Sequence, residues 1–163
     1  MRYQTRLLAA CLAMLLIYGR SSSAAEAPGD ACAFLNQTQI TAALGVTVAA
    51  GKQIGPSSAL CGWVQPGDPK HSGNRVLLAL YGSLGKLSPV ERFENSKAPV
   101  QGIAKTPISG VGDDAYYIDT PGLGVGLNVR KANSAFQIRV YGFPVDQIKT
   151  LEKTLAQIVV AKL

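Results

Sequence analysis

At 163 residues the chain is of one-domain length, and one histidine, one tryptophan and three cysteines leave little from which to build a metal site or an acid–base pair. Its formal net charge of +6 comes from 16 Lys and Arg against 10 Asp and Glu, but Arg2, Arg6 and Arg20 lie in the first 25 residues with no acid among them, so residues 26–163 carry +3. Without a Lys/Arg cluster or a basic stripe, that charge argues against a nucleic-acid partner and fits a loose attraction to anionic envelope polymers better.

The chain opens with an export signal. Arg2 and Arg6 precede the apolar run Leu7 to Tyr18, and Ser21-Ser22-Ser23-Ala24-Ala25 supplies the small residues of a cleavage site, so residues 1–25 are predicted to be a signal peptide cut after Ala25, with Ala27 as second choice. The run is shorter than the roughly 20 apolar residues of an uncleaved span, so no stable membrane span is expected once the signal is gone. Leu8-Ala9-Ala10-Cys11 has the form of a lipoprotein box. Most of the hydrophobic run follows Cys11, however, and a lipid anchor there would leave that run on the mature protein, which argues against anchoring. The expected location is periplasmic or extracellular. Cys11 leaves with the signal, and Cys32 and Cys61 remain as an even pair in an oxidising compartment, so one structural disulfide is the economical reading. Redox-active thiols are the alternative, unsupported by any Cys-x-x-Cys spacing or flanking His or Lys.

Glu26 to Asp30 reads as a polar leader. After Cys32, the apolar residues Phe34, Leu35, Ile40, Ala43 and Leu44 share a helix face, Asn36 or Thr38 can cap its start, and Gly45 can close it. Val46 to Ala50 is expected to be a short strand and Ser57 to Val64 a longer one, with Cys61 and Trp63 on the same face, so that a disulfide would lie beside the indole. Arg75 to Tyr81 is almost continuously apolar and predicts a central strand covered on both faces. Ser88-Pro89-Val90-Glu91 starts a short helix reaching about Lys97, with Ser88 and Glu91 as a capping box. Ala98 to Ile108 is read as a connection, Gly110 to Asp114 as a turn, and Ala115 to Asp119 as a strand.

The last 42 residues carry the clearest periodicities. Val125, Leu127 and Val129 alternate with polar or small residues, as do Phe136, Ile138 and Val140, and the short polar Lys131-Ala132-Asn133-Ser134 between them predicts an antiparallel hairpin with an Asn for a left-handed position. Setting Val129 against Phe136 places Leu127 against Ile138 and Val125 against Val140. Ile148, Leu151, Leu155, Ile158 and Val159 then recur at three and four, with Lys149, Glu152, Lys153 and Gln157 on the other side, and form the helix that covers this face. The whole predicts one α+β domain over residues 26–163: an antiparallel sheet, helices packed on one face, and a C-terminal amphipathic helix.

Cys32 ahead of a helix ending in Ala43-Leu44-Gly45, the strand Cys61-Gly62-Trp63, the turn Gly110-Val111-Gly112-Asp113-Asp114-Ala115-Tyr116 and the final hairpin and helix together resemble a family of small exported envelope proteins, many of them lipoproteins, with no assigned function. The resemblance spans most of the mature chain and implies a Cys32–Cys61 disulfide and an envelope location. It implies no catalytic residues, and the chain departs from it in lacking a convincing lipid-anchor cysteine.

No constellation of catalytic, cofactor-binding or metal-ligating residues stands out. His71 sits in a polar loop with Asp68 and Lys70 and no nucleophile-elbow motif accompanies it. Asp113, Asp114 and Asp119 lack the spacing of a calcium loop and read as turn residues. Glu91 and Glu94 suit an exposed first helical turn, and the glycines from Gly110 to Gly126 lack the strand-to-helix context of a phosphate cradle. The chain is therefore expected to be a non-enzymatic binding module for an envelope ligand, with a protein-interaction module or an inhibitor of a secreted enzyme as the alternative. In the hairpin register Gly126 falls opposite Arg139 and Gly124 opposite Tyr141, so Asn128, Gln137, Arg139 and Tyr141 form the candidate recognition surface, unless Arg139 and Tyr141 lie flat and simply cover the bare glycines.

Overall fold

A computed structural model describes residues 29–67 and 73–163; the predicted signal segment with Cys11, the start of the leader and the loop with His71 lie outside the described residues. A 3-10 turn at Ala31–Ala33 leads to α1 (Gln37–Leu44). Asn36 caps α1 in a reciprocal box with Gln39, and Gly45 ends it in the left-handed conformation at φ 70°. Strands β1 (Lys52–Gln53), β2 (Leu60–Val64) and β3 (Asn74–Leu80) follow, then α2 (Pro89–Ser96), strands β4 (Ala104–Ile108), β5 (Asp114–Thr120), β6 (Gly124–Lys131) and β7 (Ser134–Val140), and α3 (Val145–Val160).

The seven strands form one antiparallel sheet in the order β1-β2-β3-β7-β6-β5-β4. Two meanders, β1 to β3 and β4 to β7, are thus joined where β3 pairs with β7. On the inner face, Cys61, Trp63, Val76, Leu78, Ala115, Tyr117, Val125, Leu127, Val129, Phe136, Ile138 and Val140 meet Ile148, Leu151, Leu155, Ala156 and Val159 of α3 and Ile40 and Leu44 of α1 in a single core. The chain is a single α+β domain closed by its C-terminal helix.

Only α1 and α3 keep to that face. α2 lies on the outer one, where Phe93 is fully buried against Tyr116, ring centroids 5.5 Å apart, beside Ala135. The physical reason is connectivity: α3 and α1 already fill the inner face, and α2 belongs to the crossover from β3, in the middle of the sheet, to β4 at its edge. The small Ala135, with Tyr81 and Tyr116 near it, leaves the space that Phe93 occupies. Beyond α2 the outer face is open, so β3 is an inner strand with one covered face: Val76 and Leu78 are buried while Leu77 and Ala79 are half-buried. Val46 to Ala50 is irregular rather than a strand, held by Thr41 Oγ1, which accepts from Val48 N at 3.3 Å, and by Ala49 N donating to Val64 O. The expected connection Ala98 to Ile108 contains the edge strand β4.

A disulfide joins Cys32 to Cys61, Cα atoms 5.2 Å apart, and ties the first turn to β2. Trp63 lies beside it, since a Cβ on Gly51 would fall 2.6 Å from the indole Nε1 and 2.9 Å from Cys61 Sγ. The hairpin has the expected register, with Leu127 opposite Ile138 and Val129 opposite Phe136. Its two-residue turn uses Ala132, not Asn133, in the left-handed region at φ 49°. Asp113 explains the choice: its carboxylate accepts from Ala132 N at 2.7 Å and from Lys131 Nζ at 2.9 Å, fixing the turn from outside. The ladder also stops at Leu127 and Ile138. Val125 and Val140 do not pair, because Val140 N donates instead to Glu152 Oε1 at 3.0 Å.

Candidate functional site

The open part of the outer face is built by alternation. On β6 and β7 the inner stripe leaves Gly126, Asn128, Gln137 and Arg139 pointing outward, flanked by Tyr81 at the end of β3 and Ile118 on β5. These side chains are linked across three strands. Tyr81 Oη donates to Asn128 Oδ1 at 2.6 Å, Gln137 Nε2 donates to the same oxygen at 3.2 Å, Arg139 Nε donates to Gln137 Oε1 at 3.2 Å, and Arg139 Nη1 reaches Leu123 O at 3.1 Å. Burial and the nearby Tyr116 phenol push the Tyr81 phenol above its ordinary range, and burial does the same for Tyr116, so both keep their protons.

Three of the four predicted surface residues are thereby brought into one network, and their roles differ. Arg139 lies flat across Gly126, whose Cβ would fall 2.9 Å from Arg139 Cγ and Nε, and so covers the bare strand. Asn128 is 1 % exposed and sits beneath its neighbours rather than on the surface. Its Oδ1 takes two bonds, whereas its buried Nδ2 has no partner among the described residues. Gln137 is half-buried, as is Tyr141, which is joined to β3 through its main-chain N–H to Arg75 O at 3.0 Å.

The other sequence candidates have structural duties. Asp113 holds the hairpin turn, and its carboxyl is kept below the usual range by the Ala132 N–H, then by Lys131. Asp114 pairs with Lys97, whose ammonium is also 2.9 Å from Glu94. Burial works against that ammonium, but the bonds from Asp114 and Glu94 hold its pKa above the ordinary lysine value. Asp119 stands near the far end of β5 from Asp114, so the three aspartates do not converge. Glu91 closes the capping box of α2, accepting from Ser88 N at 2.7 Å, which lowers its carboxyl. Gly112, at φ 62°, would place a Cβ 2.7 Å from Val129 Cγ1, so its role is close packing of the turn on β6. Among the described residues no three His, Cys, Asp or Glu side chains gather closely enough to hold a metal ion, and no helix is long and apolar enough to cross a membrane.

One functional group escaped the sequence reading. Glu152, assigned to the polar side of α3, is fully buried. The available signal was its spacing: it lies four residues after Ile148 and three before Leu155, within the apolar stripe. Burial raises its carboxyl to about 8, against the opposing Val140 N–H and the charges of Arg139 and Lys149. Tyr117, whose Oη donates to Lys149 O at 2.6 Å, is pushed up to about 12 by burial and by Glu152. Comparison with known proteins brings no identity to this arrangement: no family model, no curated protein and no solved structure matches the chain.

Proposed function

We propose that the chain is an exported, non-enzymatic binding module of the cell envelope, working in the periplasm or at the cell surface, and that it takes its ligand on the open outer face at Gln137, Arg139 and Tyr141, above Asn128. The observation that carries this reading is the Asn128 carboxamide, whose oxygen is doubly bonded while its buried Nδ2 has no acceptor. An unmade buried donor costs about 1–3 kcal/mol, which a ligand supplying an acceptor would recover. A ligand bearing acceptor oxygens would meet that donor and the Arg139 guanidinium together once the Arg139 stem lifts off Gly126. The disulfide suits an oxidising compartment, and the resemblance of the Cys32, Cys61-Gly62-Trp63 and Gly110-to-Tyr116 segments to exported envelope proteins supports the same location. Native mass spectrometry of the chain isolated from envelope extract tests this: a small-molecule adduct is expected on the wild type and not on the Arg139→Ala/Tyr141→Ala double variant, with both folded by melting. A chain without adduct in both cases would overturn the binding reading, and an adduct kept by the folded double variant would overturn the placement of the site.

A further inference from the structure

The sheet has a seam at its centre. Tyr81 N donates to Ala135 O and Tyr141 N donates to Arg75 O, so the odd-numbered residues of β7 turn their main-chain groups toward β3 and the even-numbered ones toward β6. Val140 therefore presents its N–H to β6, and Val125, two residues from the ladder pair Leu127–Ile138, presents its main-chain groups to β7. They nevertheless do not pair. The carboxyl of Glu152 enters from α3 in place of the missing ladder bond, with Oε1 3.0 Å from Val140 N and Oε2 buried without a partner among the described residues.

We propose that Glu152 is a proton-operated clasp on the β6–β7 seam: protonated, its carboxyl substitutes for the absent strand pairing and keeps the seam shut, and on losing the proton to solvent base it releases the seam behind Arg139. A buried carboxylate requires several donors, and among the described residues Val140 N–H is the single one in contact; a neutral carboxyl is satisfied with far less. The charged and titratable groups around it do not alter this. Lys149 of α3 and Arg139 of β7 act through the field without bonding it, Tyr117 of β5 donates its hydroxyl hydrogen bond to Lys149 O instead, among the described residues Asp119 of β5 and Arg75 of β3 are not bonded to it, and α1 has no charged residue. An ionised Glu152 gains solvation only if water enters, which separates the Gly124–Gly126 end of β6 from β7 or lifts the middle turn of α3. The inference concerns the seam itself and stands whether or not the outer face binds a ligand.

The test is carbon and amide NMR of the full mature chain across about pH 5 to pH 9.5. The Glu152 side-chain carboxyl carbon is expected to titrate well above the ordinary carboxyl range. The Val140 amide should shift with the same midpoint, and its exchange protection, corrected for base catalysis, should fall roughly tenfold or more through that step. Glu152→Gln, which keeps the acceptor for Val140 N, should show neither change. A Glu152 carbon that titrates in the ordinary carboxylate range, or Val140 protection that is unchanged while Glu152 titrates, would overturn the proposal on the wild-type protein alone.

Discussion

Single residues explain where the chain could be read and where it could not. Asn36 with Gln39, and Ser88 with Glu91, announce two helix starts because a capping box is local: its partners lie three residues apart and need nothing from the rest of the fold. Ala132 is the opposite case, since its left-handed turn is held by Asp113, 19 residues earlier, which no local pattern reveals. Glu152 was hidden by its charge, although its spacing put it in the core. Its raised carboxyl gives a definite sign to the pH dependence. The folded chain keeps a proton that the unfolded chain has lost above its ordinary carboxyl range, so stability is greatest on the acid side and falls as pH rises toward about 8, where the folded carboxyl ionises. The full span of that shift corresponds to about 3–5 kcal/mol. Urea melts of Glu152→Gln should show no such fall. The variant should lie close to wild type near pH 5, because its amide and the protonated carboxyl each offer Val140 N an acceptor and each leave a buried donor unmade, and should be more stable than wild type near pH 9. Parallel curves for the two proteins would mean that Glu152 ionises like any exposed carboxyl.

At the scale of elements, strong periodicity was decisive and weak edges were not. β6, β7 and α3 announced themselves by periods of two and 3.6, and the register of the hairpin followed from which residues had to be inside. β4 was illegible because Ala104–Ile108 shows no alternation of buried and exposed residues and contains Pro107, which normally speaks against a strand. It is tolerated at the sheet edge, where the outward-facing position needs no donor, and Lys105 adds a charge there. Such an edge resists pairing with another chain, and at the opposite edge β1 is two residues long. Neither edge therefore offers a long, flat template for strand addition. α3 is the element on which the inner core depends most, and Leu155 is fully buried at its centre. Leu155→Ala should lower stability by about 2–5 kcal/mol, whereas Thr154→Ala, one position away on the exposed side, should change it by less than about 0.5 kcal/mol. Equal effects from the two, read from urea midpoints, would contradict the packing of α3 on β6 and β7.

For the whole molecule, two meanders joined at β3 and β7 are held unequally. The β4–β7 half carries the longer strands and lies under α3, while the β1–β3 half has one very short strand, an irregular Val46–Ala50 segment and the disulfide. Closing a loop across 29 residues stabilises by roughly 3–4 kcal/mol in the chain-entropy model, so the bond offsets what the thinner half lacks in strand pairing. Trp63, the one tryptophan in the chain, reports on it, because a disulfide beside an indole quenches its emission. Reduction under otherwise native conditions should therefore raise the tryptophan emission while the maximum stays at a buried wavelength, and should shift the urea midpoint downward. Amide protection should fall first in β2 and in the turn at Ala31–Ala33, before β6 and β7 are affected. A Cys32→Ser/Cys61→Ser variant should start from the bright, less stable state and not respond to reductant. If reduction leaves both emission and midpoint unchanged, the bond contributes nothing to that half of the sheet, and its stability must come from the apolar contacts of Trp63, Val76 and Leu78 alone.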